Sequence, residues 1–208
     1  MSYQSNDWKR AVEFHGHVCP GLATGYRVSL AGLRELASLR SADEEVVAIV
    51  ETDSCGVDAV QALTGCTFGK GNLIFHDFGK HVFTFACRDS RKGVRISVKP
   101  RSWLEPADMH ALREKVSGGT ASKPEQERFQ QYHARMIERI LQAPEEELLS
   151  IREMSLEIPL RARIFRSVEC AYCGEPVMEP RARIRDGKFA CIPCSNRYML
   201  QHFIVRDA

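Results

Sequence analysis

The sequence predicts an α+β core followed by a small treble-clef zinc finger. Three observations carry that prediction. Apolar residues recur at spacings of three and four between positions 20 and 40, and again between 124 and 143. Short β-branched and aromatic runs, separated by tight-turn signals, occupy 45–99. Two C-x-x-C pairs, with 17 residues between them, lie near the end of the chain.

The elements follow in order. Residues 8–14 suit a short first helix. Pro20 opens a second, where a missing N–H costs nothing in the first turn, and Leu22, Tyr26, Leu30 and Leu33 form its apolar stripe. E-V-V-A-I-V-E-T (45–52) is a strand, and a helix from Ser54 or Cys55 should end at Gly65. From Asn72 to Lys99 the chain reads as three strands joined by tight turns at F-G-K and D-S-R-K-G, with Phe83, Phe85 and Cys87 on one face. Residues 105–116 and 124–143 read as helices around the joint S-G-G-T-A-S-K-P, and P-E-E-E-L-L-S-I begins a further short helix. We assign 1–155 to the core with its helical extension and 156–208 to the finger.

Of the 208 residues, 44% are hydrophobic and 27% charged, which suits a soluble globular protein. A formal net charge of +2 gives no global argument for nucleic acid or a membrane surface. No apolar run approaches the ~18 residues that span a bilayer. M-S-Y-Q-S-N-D-W-K-R lacks a secretion signal's apolar stretch, so a cytoplasmic location is expected.

In a reducing compartment, paired cysteines point to metal before disulfides. Cys170, Cys173, Cys191 and Cys194 can surround one zinc, because each x-x spacing folds its pair into a tight knuckle. The competing reading is a redox dithiol. The D-G signal between the pairs marks a hairpin, and S-N-R-Y-M-L-Q-H-F reads as a following helix. Seven Arg or Lys against four acids over 161–188 leave a local positive excess. The finger is therefore either a structural clip for a small tail or a contact for phosphate.

F-H-G-H-V-C-P gathers His15, His17 and Cys19 just before a helix. An extended segment would point all three to one side, and the helix N-terminus should lower the Cys19 pKa. Cys55 repeats the arrangement at another helix start. These residues either converge on one cation or are ordinary buried small side chains and a helix-terminal histidine. Cys66 and Cys87 read as core residues.

F-H-G-H-V-C-P-G-L-A-T-G-Y-R, C-G-V-D-A-V-Q-A-L-T-G-C-T-F-G-K-G-N-L and D-F-G-K-H-V-F-T-F resemble the FmdE family, named for formylmethanofuran dehydrogenase, over residues 8 to about 145. The resemblance implies an antiparallel sheet flanked by helices, a homodimer, and a core metal held by His17, Cys19 and Cys55, with His15 as a further ligand. Zinc is the simplest metal, which would give one zinc in the finger and one in the core. Lys70 and Lys80 match the family too. They either hold an anionic group of a substrate or merely occupy turns set by Gly69, Gly71 and Gly79. Asp58 either orients a metal ligand or is an acid near a helix start.

The family's name suggests one-carbon chemistry related to methanogenesis. Its redox step needs a molybdenum or tungsten cofactor, and this chain has no ferredoxin-like cysteine run to serve one. It is therefore expected not to be the redox catalytic component by itself. Three functions fit. One is a zinc-dependent accessory subunit or stand-alone relative, acting on a small anionic substrate or with partner subunits. Another is a non-catalytic sensor or carrier whose finger contacts nucleic acid or protein. The third is an assembly factor in which both metals are staples.

Overall fold

A computed structural model describes residues 5–37, 40–100, 107–155, 161 and 164–195. The chain divides into two compact units, Met1–Ala162 and Arg163–Ala208, a division a few residues later than the sequence suggests. No helix among the described residues is long and apolar enough to cross a membrane.

The first unit begins with α1 (Asn6–His15), N-capped by the Ser5 hydroxyl accepting from the Trp8 amide. Then come α2 (Pro20–Glu35), β1 (Val46–Val50), α3 (Gly56–Thr64), β2 (Leu73–Phe75), β3 (Val82–Cys87) and β4 (Lys92–Val98). After these come α4 (Ala107–Ser117), α5 (Lys123–Gln142), α6 (Glu145–Leu148) and β5 (Leu149–Ser155). The five strands form one sheet in the order β2-β1-β3-β4-β5. Val46, Ala48 and Val50 of β1, Phe83 and Phe85 of β3, and Val94, Ile96 and Val98 of β4 alternate onto one face. There they join a single core with Leu22, Ala23, Val28, Ala59, Val60 and Leu63 of α2 and α3. Cys66 is fully buried and Cys87 packs against this core, as expected of both.

Two expectations are corrected. The strands of 72–99 are not a simple meander. β2 pairs with β1 in parallel, Ala48 opposite Leu73, and β1 lies between β2 and β3. A parallel pair needs a crossover, and α3 supplies it. The F-G-K turn, with Gly79 at φ 63°, then carries the chain around the end of β1 instead of closing a hairpin. The amides of His76 and Lys80 fix this loop on the carbonyls of Val50 and Glu51. The second correction is β5. Leu149–Ser155 leaves α6 at once and pairs along the whole of β4, from Val98–Leu149 to Lys92–Ser155.

Arg27 ties α2 to α5. It is only 7% exposed as a residue, and its guanidinium donates to the carbonyls of Ile140, Leu141 and Ala143, the unsatisfied end of α5.

The second unit contains two small hairpins, β6 (Ser167–Glu169) with β7 (Pro176–Met178), and β8 (Arg183–Arg185) with β9 (Lys188–Ala190). The β8–β9 turn is the expected D-G turn, with Asp186 at φ 49° and Gly187 at φ 73°. A helical turn, α7 (Ile192–Ser195), follows. The rest of the helix expected there lies outside the described residues.

Candidate metal centres

In the finger, the sulfurs of Cys170, Cys173, Cys191 and Cys194 all lie within 4.8 Å of one another. Gly174, at φ 73°, lets the first knuckle close by donating its amide to the Cys170 carbonyl at 2.8 Å. The Cys191 amide donates to Cys170 Sγ at 3.3 Å, so the second knuckle rests on the first. That hydrogen bond lowers the Cys170 thiol to about 6. Cys194, beside the Cys191 thiol and the other sulfurs, is pushed up to about 12. Four thiols this close cannot all ionise alone, and a divalent cation at their centre relieves the conflict. The donor set and its closeness fit zinc.

Side chains brace the knuckles. Arg185 donates to the Cys194 carbonyl at 2.7 Å and lies over the Tyr172 ring at 4.6 Å. The Tyr172 hydroxyl donates back to the Arg185 carbonyl at 2.9 Å. Arg166 pairs with Glu179. Two of the cations counted in the sequence thus work inside the module.

The core cluster forms where α1 meets α2. His15 is the last residue of α1, and Gly16, at φ 88°, caps it in the left-handed region. Cys19 is the N-cap of α2, its Sγ accepting from the Leu22 amide at 3.3 Å. The segment is therefore not an extended strand. A helix end, a glycine reversal and a helix cap bring the side chains together instead. The donor atoms of His15, His17 and Cys19 lie within 4.8 Å of one another. The two imidazole rings are 4.3 Å apart, and His15 Nε2 is 3.7 Å from Cys19 Sγ.

Asp58, on α3, reaches this cluster. Its Oδ2 lies 2.7 Å from His15 Nδ1, and its Oδ1 accepts from Gln61 Nε2 at 3.3 Å. A carboxylate accepts only, so Nδ1 carries the proton and the Nε2 lone pair faces Cys19. This is the arrangement by which an outer carboxylate fixes a histidine ligand.

Cys55 stands at the start of α3, exposed and close enough to Cys19 to raise the latter's pKa, but outside the trio. Burial is the main reason the Cys19 thiol is raised, and it outweighs the Leu22 amide. The lowering expected from the helix start alone is thus reversed.

Three glycines whose role the sequence does not announce permit this approach. A Cβ on Gly25 would sit 2.1 Å from the Gly56 carbonyl oxygen, and one on Gly21 would sit 3.1 Å from Cys55 Cβ. Gly21 and Gly25 are one helical turn apart on α2, and that small-residue spacing is the one signal the sequence offers.

The two lysines separate. Lys80 lies in the loop around the end of β1 that leads to Cys55, its amide on the Glu51 carbonyl at 2.8 Å and its Nζ 5.8 Å from the Phe78 ring centre. Lys70 follows the other end of α3, its Nζ 3.5 Å from the Ala42 carbonyl.

Comparison with known proteins agrees with this division. Residues 14–150 match the family described as FmdE, molybdenum formylmethanofuran dehydrogenase operon. Residues 163–198 match the prokaryotic dksA/traR C4-type zinc finger. A protein of Archaeoglobus fulgidus, described as a probable S-adenosyl-L-methionine-binding protein, is 33% identical over 196 residues, covering 91% of this chain and 52% of that protein. The chain therefore spans about half the length of this curated relative. A crystal structure of an FmdE-like protein of tungsten formylmethanofuran dehydrogenase, from Syntrophus aciditrophicus, superposes with a TM-score of 0.60 at 24% identity, over 91% of this chain and 90% of that one. That likeness shows the fold.

Proposed function

The chain belongs to the FmdE family and carries a C4 zinc finger, and on that premise we propose that it holds a second divalent metal, zinc, in its core. It would act in the cytoplasm as an accessory subunit or stand-alone relative in one-carbon or redox metabolism, as a homodimer. The observation that carries the reading is the convergence of His15, His17 and Cys19, with His15 oriented by Asp58. Cys55, exposed beside Cys19, is the fourth donor when the site is closed and leaves a position for substrate when it is not. A metal held there supplies Lewis acidity toward a carbonyl or water. His15 contributes a fixed neutral imidazole, and Cys19 the charge that balances the cation. Lys80, at the same end of β1, is placed to meet an anionic group of the substrate better than Lys70 is.

Metal analysis of the untagged protein beside Cys19→Ser with Cys55→Ser tests this reading. The wild type should hold about two metals per chain and the double variant about one, with its circular dichroism unchanged. One metal in both would refute the core site. The Archaeoglobus relative makes S-adenosyl-L-methionine the first ligand to titrate by calorimetry.

A second reading is a metal-binding sensor or carrier whose finger contacts a partner. The cross-strand pair Ile184 and Phe189, both exposed, favours a protein surface over nucleic acid. Retention of a duplex DNA or RNA probe on a gel would count against that preference.

A further inference from the structure

We infer that an open groove beside the His17–Cys19 segment binds a small organic carboxylate with an apolar, ring-bearing body. The inference rests on the core-metal reading above for the carboxylate and on the groove itself for the ring. The groove encloses about 860 Å³ and is lined by Val18 on one side and by α5 on the other. Known ligand sites hold roughly 300–1,000 Å³ and are mostly apolar with a few polar groups.

Phe129, His133 and Ile137 are spaced by four along α5 and so form one stripe into the groove. Ile137 is buried, while the Phe129 and His133 rings lie 4.2 Å apart and present an aromatic wall. Such a wall favours a ring by offset or edge contact. Val18 is 47% exposed although it is apolar and sits in the most polar turn of the unit, between two metal-ligating residue types.

Charge selects the other end of the ligand. Arg135 and Glu138 both line the groove and balance one another, so its rim favours neither sign. A cation at His15, His17 and Cys19 breaks that balance in favour of an anion. Consecutive Cα atoms are about 3.8 Å apart, so a body resting on Val18 is one residue from both His17 and Cys19. A carboxylate on a short linker reaches the metal from there.

The test is calorimetry on the zinc-loaded full chain with 3-phenylpropionate and propionate, beside Val18→Asp and Phe129→Gln, with metal content read on the same samples. The wild type should bind phenylpropionate at least ten-fold more tightly than propionate. Either variant should lose that preference with its metal content unchanged. Equal affinity for the two acids in the wild type, or an intact preference in both variants, overturns the inference. Sedimentation is run in parallel. A dimer that Val18→Asp converts to monomer, with no phenylpropionate bound by the wild type, assigns the groove to a second copy and overturns it too. If no core metal is found, the functional reading fails on that result alone. The groove is then judged with neutral 3-phenyl-1-propanol: binding lost in Val18→Asp supports it, and no binding to the wild type overturns it.

Discussion

His15 and Asp58 are 43 positions apart in sequence, yet His15 Nδ1 lies 2.7 Å from Asp58 Oδ2. The His15 side chain is 9% exposed and the Asp58 side chain 37%. The pair joins the end of α1 to the first turn of α3 and leaves Nε2 as the nitrogen facing Cys19. Asp58→Asn keeps the shape but presents either an amide N–H or a weaker acceptor to Nδ1. Core zinc affinity should fall roughly 10- to 100-fold, the usual cost of losing such a partner. Competition with a chromogenic chelator reads this directly. The finger's zinc and the thermal transition should not move. Unchanged core affinity would show that His15 is not a ligand.

Gly25 faces Gly56 across the α2–α3 contact, and a Cβ there would lie 2.1 Å from the Gly56 carbonyl oxygen. Backbone cannot swing away as a flexible side chain can, so the two helices must part. Gly25→Ala should destabilise the first unit by about 3 kcal/mol, at the upper end of overpacking costs, and separate Cys19 from Cys55. Urea unfolding measures the first effect. Gly69→Ala is the control, because nothing lies within 4 Å of a Cβ built there. Equal midpoints for the two variants would mean that the helix approach is not tight.

These contacts show what the sequence could and could not reveal. The finger is readable because its ligands come in local pairs, and spacing alone puts Cys170 near Cys173 and Cys191 near Cys194. His15, His17 and Cys19 are readable as a group for the same reason, but not their geometry. Alternation suggests a strand, whereas Gly16 at φ 88° makes a helix reversal. The parallel pairing of β2 with β1 and the pairing of β5 with β4 are non-local. Nothing within L-I-F or L-S-I-R-E-M-S names a partner strand. The Asp58 role stays open in the sequence because it depends on how α1 packs on α3, which is set by glycines whose only signal is the absence of a side chain.

The finger should fail separately from the core. Cys191 supplies both a sulfur and the amide that donates to Cys170 Sγ. Cys191→Ser keeps the amide and removes the sulfur, so the finger's zinc should be lost and its small hairpins, which have little core of their own, should loosen. Limited proteolysis should then cut beyond residue 163 while the first unit survives and melts as in the wild type. Collapse of both transitions together would show that the two units of the chain are not independent in stability.

Acid should weaken the first unit through Glu45. The Ser41 hydroxyl donates to Glu45 Oε2 at 2.6 Å and the Asp43 amide at 3.0 Å, and these bonds, the hydroxyl first, lower its pKa to about 2. An unfolded glutamate titrates near about 4.3. Because the folded value is the lower one, the contribution of Glu45 is complete above the unfolded value. It is lost as pH falls from there toward about 2. Ser41 is itself buried and its amide donates to the Thr64 carbonyl at 2.7 Å, so the contact anchors the turn before β1 to the end of α3. Glu45→Gln removes the titration without removing the side chain. The urea midpoints of wild type and variant should differ by a constant amount above about pH 5 and converge as pH approaches 2. A gap of the same size at both ends of that range would mean that the Glu45 charge contributes nothing to holding the turn.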